Sequence, residues 1–262
     1  MLWGMKKMLN YMQAEIGKTL KRKYFWITIL ITLGCAFLGC IGFIKMNAQG
    51  LNGERLAMEH FMEIGTMVFP AASFMLVVFV DMITMEEYKN NTIKNIASSG
   101  LSRVKIYMSK NIEIILVAVI AFIILLSGSL LMAYMMLGIN SAETFSKGLQ
   151  MLLFKGVCNA FIWMGALSML HFIGSFIKNG TAASLLYVAL MLFFNQALNL
   201  LAHLVSPIFG KINQIWLMTR LDIISDINEG SMELLIQSIL IGIGYMIVFG
   251  GLGSYLFRRA DL

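Results

Sequence analysis

Glu86 and Glu87 stand side by side directly after an apolar run, and paired carboxylates with nearby histidines are a donor set that can hold zinc and activate water. Intramembrane metalloprotease chemistry of that kind uses an EExxxR spacing, but here Asn91 takes the arginine's place. His171 and His203 lie in different apolar runs without supporting carboxylates. Their ordinary role there is a hydrogen bond to a neighbouring carbonyl or hydroxyl. Asp81, Glu113 and Lys155 are ionisable groups within or beside apolar runs. Each sits near the end of its run, whereas an ion-coupled carrier needs charge nearer the midplane. Asn195, Gln196 and Asn199 cluster in the fifth run, and Asn195 and Asn199, four apart, share a helix face. Two roles are open to them, hydrogen bonding to a neighbouring helix or lining a polar translocation path. Cys35, Cys40 and Cys158 lack metal-ligand spacing and read as small buried hydrophobes. Nothing matches GxxxxGK(S/T), so the chain has no Walker route to ATP hydrolysis. No catalytic residue, metal ligand or cofactor of its own is assigned to it.

The elements that carry these residues are apolar helices. Of 262 residues, 59% are hydrophobic and 13% charged, against about 25% charged in a soluble domain. A bilayer core of about 30 Å takes roughly 20 helical residues, and six runs qualify, at 24–44, 64–85, 113–138, 151–177, 180–204 and 233–257. The runs are continuous, not alternating, which argues against a transmembrane barrel. The expected fold is therefore all-α, one transmembrane domain over 1–262 with six spans.

The distribution of basic residues orients it. With the N-terminus inside, 14 of the 20 lysines and arginines fall on the cytoplasmic side, as the positive-inside rule requires, and both termini are cytoplasmic. The net charge of +6 thus belongs to membrane topology and not to nucleic-acid binding. The first 23 residues are too polar for a cleavable signal peptide. Met8, Leu9, Met12, Ile16 and Leu20 recur at helical spacing opposite basic residues, which predicts an amphipathic helix on the inner leaflet. The fifth run is overlong, with a break expected near His203–Pro207 and a re-entrant hairpin between the fifth and sixth spans. In it, Ile208, Ile212, Ile215 and Trp216 are expected to line one face of a short helix.

Between the second and third spans lies EEYKNNTIKNIASSGLSRVKIYMSK, Glu86–Lys110. Over Asn90–Ser99 it can form a short amphipathic helix with Ile93, Ile96 and Ala97 on one face. Gly100 suits its C-cap and Ser102 the N-cap of the next helix. The alternative is a solvated basic loop that only obeys the positive-inside rule.

In order and spacing the chain resembles the permease subunit of an ABC-2 type ABC transporter, of the size found with antimicrobial-peptide immunity and peptide export. AEIGKTLKRKYFW (Ala14–Trp26) looks like that family's E-x-x-K-x-x-R-x-x-x-x-W entry into the first span. The Glu86–Lys110 segment and the overlong fifth run are similar to the family's, and FRRADL (Phe257–Leu262) looks like its close, with Ala260 inserted before Asp261. The resemblance implies a second permease chain, identical or related, and two separate ATPase subunits that hold ATP and Mg. It implies a coupling helix resting on the ATPase, with Glu86, Glu87, Asn90, Ile93, Ile96, Ala97 and Arg103 as its coupling residues. It also implies a bacterial cytoplasmic membrane and an amphipathic or hydrophobic substrate, a peptide such as a toxin, bacteriocin or antibiotic. A non-transporting scaffold or sensor that docks a cytoplasmic partner is the competing reading.

Overall fold

The computed structural model describes residues 2–48, 58, 61–62, 68–90, 102–227 and 229–259, which are helices and the turns between them. Helix α1 (Leu2–Leu20) turns at Lys21–Arg22 into α2 (Lys23–Ala48). A third helical run, α3, covers 68–89 in consecutive pieces. Val68–Ala72 is followed by a 3-10 turn at Ser73–Met75, an α-turn at Leu76–Val80, a π-turn at Asp81–Met85 and Glu86–Lys89. Then come α4 (Arg103–Leu137), α5 (Ala142–Ile177), α6 (Gly180–Leu204), α7 (Ile208–Gln214), α8 (Leu217–Asp226) and α9 (Met232–Arg259).

Local chemistry sets the breaks. Ser102, expected as a cap, accepts a hydrogen bond from the Lys105 N–H at 3.4 Å. Ser141 and Asn179 cap α5 and α6 in the same way, satisfying N–H groups that have no partner inside the helix. At Gly138 φ is +72°, a conformation that costs glycine nothing, and Lys178 ends α5 in the left-handed region. The turns 138–141 and 178–179 are short enough to keep consecutive helices as neighbours. The break expected in the fifth run falls at 205–207, between α6 and α7.

Among the described residues, five helices are long and apolar enough to cross a membrane, α2, α4, α5, α6 and α9; the run expected at 64–85 is described only from residue 68 and is broken into short pieces there. Helix α5 is the central pillar, since two thirds (67%) of its most apolar stretch is buried while those of the other four are mostly open to the surroundings. Helices α5 and α9 meet through small residues. A Cβ on Gly165 would lie 2.9 Å from that of Tyr245, and one on Gly242 would run into the Phe161 carbonyl. Such contacts let backbones approach closely where lipid gives no hydrophobic drive to association.

Polar bonds fasten α7 and α8 to three helices. Lys155 Nζ of α5 donates to the Ser225 carbonyl (2.8 Å), Asn213 to Asn199 of α6 (2.8 Å) and Arg220 to Gln237 of α9 (2.9 Å). The single apolar face expected here divides. Ile208, Ile212 and Ile215 are exposed, but Trp216 lies beyond the end of α7, as the N-cap residue of α8, and is buried.

Candidate functional site

On α1, Tyr11, Glu15 and Thr19 follow one another at four-residue steps and so share a face. That face packs on the first turns of α4, with Met12 buried and Ile16 and Leu20 against the core. The apolar stripe expected to rest on the leaflet thus has, from Met12 onward, a protein surface to pack on.

The contact brings charges together. Lys110, 2% exposed, places Nζ 2.6 Å from Glu87 Oε1, 3.4 Å from Glu113 Oε2 and 3.5 Å from Glu15 Oε2. The same ammonium lies 5.3 Å from the centre of the Tyr11 ring, and Thr19 Oγ1 donates to Glu113 Oε1 at 3.4 Å. A buried ammonium is tolerated only with such partners. Three carboxylates around one ammonium leave the group acid-rich. Burial pushes the Glu87 carboxyl above its ordinary value, with Lys110 opposing, and pushes the Tyr11 phenol up as well.

Glu86 lies at the rim and pairs with Arg22, whose Nη1 also donates to the Met82 carbonyl at 2.7 Å. The preceding π-turn resets the register of α3 by its wider winding. Adjacent glutamates then serve different partners, Glu87 inward on Lys110 and Glu86 outward on Arg22.

A second layer lies beside it. Thr84 Oγ1 is 3.1 Å from His171 Nδ1, the Tyr107 ring is 4.4 Å from the imidazole, and the Tyr107 hydroxyl donates to the Phe249 carbonyl. Burial pushes the Tyr88 phenol up to about 12 against an opposing hydrogen bond with Ser175. His171 Nδ1 therefore has the hydroxyl partner expected of a lone histidine in an apolar helix, while its Nε2 is buried without a hydrogen-bond partner. His203 lies near the far end of α6, about 35 Å along that helix from its start beside Asp81. No group of three metal-ligating side chains occurs among the described residues.

Of the residues singled out in the sequence, Glu86 and Glu87 enter this ion cluster. Asn90 is exposed at the end of α3, where its N–H donates to the Glu86 carbonyl, and Arg103 begins α4, half-buried. Ile93, Ile96 and Ala97 lie outside the described residues. Asn195 is half-buried and Gln196 exposed on α6. Asn199 accepts the bond from Asn213, which in turn accepts from Thr219 of α8 at 2.9 Å. Sequence reasoning missed Tyr11, Glu15, Thr19, Arg22 and Lys110 as site residues and treated Glu113 only as an end-of-span charge. The legible signal was the Lys110–Glu113 pair, an acid three residues from a base at the mouth of an apolar helix.

Residues 11–197, from within α1 to near the end of α6, match the family model described as ABC-2 family transporter protein. The matched stretch contains every residue of the ion cluster. No curated protein matches the chain.

Proposed function

The chain belongs to the ABC-2 family of transporter proteins, and from that premise we propose that it is the permease of an ATP-driven exporter whose cargo is an amphipathic or hydrophobic peptide. The family's chains are membrane permeases without an ATPase domain, and they work with ABC ATPase subunits. In this reading segment 91–101 rests on the ATPase, six spans cross the membrane with both termini inside, and a second permease chain completes the pathway.

The observation that carries the reading is the anchorage of both ends of segment 91–101. Its departing end is held through Glu86 on Arg22 and Glu87 on Lys110, and its returning end leads through Ser102 into the helix that bears Lys110. A displacement of the segment by a nucleotide-driven partner is then delivered at both ends to one buried ion cluster, which also holds α1 through Glu15. Buried ion clusters resist shear because separating one partner leaves an uncompensated charge. The motion therefore passes to α1, α3 and α4 together. The 22 methionines suit surfaces that repack around variable apolar cargo.

The test is the double variant Ile93→Asp, Ile96→Asp, reconstituted in vesicles with its ATPase. ATP hydrolysis persists and peptide export is lost if these residues seat the segment on its partner. Export at the wild-type rate would overturn the assignment.

A further inference from the structure

Between α2, α4, α5 and the described residues of 61–75 lies a cavity of about 440 Å³, within the range of small-molecule sites. Its walls are two helical stripes. Leu33, Ala36 and Gly39 of α2 face it on one side, and Phe122, Leu126 and Leu130 of α4 on the other. From Phe122 to Leu130 the α4 wall rises roughly 12 Å, most of the ~15 Å hydrocarbon depth of one leaflet. The floor is a triangle of rings, Phe69, Phe122 and Trp163, with centres 5.4 to 6.0 Å apart. Phe122 and Trp163 sit near the middles of their helices, so the cavity runs from about mid-membrane toward the 138–141 turn.

Its walls are mostly apolar, and the polar groups among them are Thr32, Ser129, the Cys35 thiol and the Trp163 indole N–H, which is buried without a hydrogen-bond partner. The two hydroxyls on its wall are turned back onto their own helices, Thr32 to the Thr28 carbonyl (2.8 Å) and Ser129 to the Leu126 carbonyl (3.0 Å). A peptide entering this space would lose backbone hydrogen bonds to water and find few replacements. The α2 wall is one helix thick, its far side carries exposed Leu30, Ile31 and Leu38, and a Cβ on Gly39 would meet open space. In a membrane-spanning chain those exposed side chains require hydrocarbon or another apolar chain around them.

We propose that this cavity holds one acyl chain of a bilayer lipid, drawn from the leaflet on the side of the 138–141 turn and lying along α4. The inference rests on the family's membrane setting and not on peptide export. A lipid seated there fills the space between α2 and the rest of the bundle and holds α2 at its observed distance.

The experiment uses the full chain with its ATPase subunits in phosphatidylglycerol–phosphatidylethanolamine vesicles containing a phosphatidylglycerol with a mid-chain diazirine. After photolysis, adducts are expected at Phe122, Leu126 and Leu130 of α4 and at Trp163, besides those on the outward faces of α2 and α4. Gly39→Phe, which fills the cavity, is expected to lower the cavity-facing α4 adducts several-fold while those at Leu30 and Leu38 persist. Ala36→Leu serves as the milder variant should Gly39→Phe fail to assemble. Adducts confined to the outward faces, or cavity-facing α4 labelling unchanged in both variants, would overturn the proposal. Loss of the cavity-facing α4 adducts on adding a candidate peptide, with Leu38 still labelled, would also overturn it by assigning the cavity to cargo. Failure of peptide transport with the adducts intact sinks the export reading alone.

Discussion

Lys110 is the residue on which the membrane-entry region depends, because one ammonium serves three carboxylates on three helical elements. Lys110→Met strands those acids in a buried setting, and losing one side of a buried ion pair costs about 3–5 kcal/mol. A marked fall in melting temperature in detergent is expected, and a melting temperature within error of wild type would show that the cluster carries no stability. Glu87→Gln is milder at neutral pH, since Lys110 keeps Glu113 and Glu15. It also isolates a pH effect. Burial raises the Glu87 carboxyl above 4.5, so the folded chain binds that proton more tightly than the unfolded chain does. The stability it contributes is full at acid pH and is lost as pH rises from about 4.5 through the folded value. The melting temperature of wild type relative to Glu87→Gln should therefore fall as pH is raised over that window. A difference that stays flat, or rises, would show that the Lys110 pairing outweighs desolvation.

Among the elements, the α5–α9 pair and the π-turn of α3 decide how helices are held against the central pillar. Gly242 sits against the Phe161 carbonyl, whereas a Cβ on Gly244, two residues on, meets open space. Gly242→Ala is expected to cost about 1–3 kcal/mol by overpacking, seen as lower thermal stability and poorer recovery of folded protein. Gly244→Ala in the same helix should leave both unchanged, and equal effects from the two would refute close packing as the cause. The π-turn carries a different consequence. Met82, Ile83, Thr84 and Met85 are all buried within it, and Thr84 meets His171. Thr84 therefore links the third helical run to the central pillar at the level just beyond the ion cluster.

For the whole molecule, the exposed apolar faces of α2, α6 and α9 require hydrocarbon or another apolar chain around them. Purification of the tagged chain in mild detergent is expected to carry a Walker-containing ABC ATPase and a second permease chain in fixed proportion. Its absence under conditions that preserve other membrane complexes would favour the scaffold reading, and stimulation of ATP hydrolysis by candidate peptides would favour export.

Much of this was legible in the sequence, and the reason is physical. Hydropathy, basic flanks and capping residues act locally, so the long apolar helices, the Ser102 cap and the break before Pro207 could be read from neighbours in the chain. Membership of the transporter family rests on the same linear record, since the match over 11–197 needs no coordinates. The sequence also marked Glu86 and Glu87, but not what they do, because their partners Arg22 and Lys110 lie 64 and 23 residues away. Such pairings depend on the rotation and depth of each helix about its neighbours. Hydropathy says little about either, because one apolar face resembles another to lipid. Only the tertiary structure could decide that Lys110 turns inward upon Glu15, Glu87 and Glu113, that His171 meets Thr84 and no carboxylate, and that α2 stands off from α4 far enough to leave a cavity.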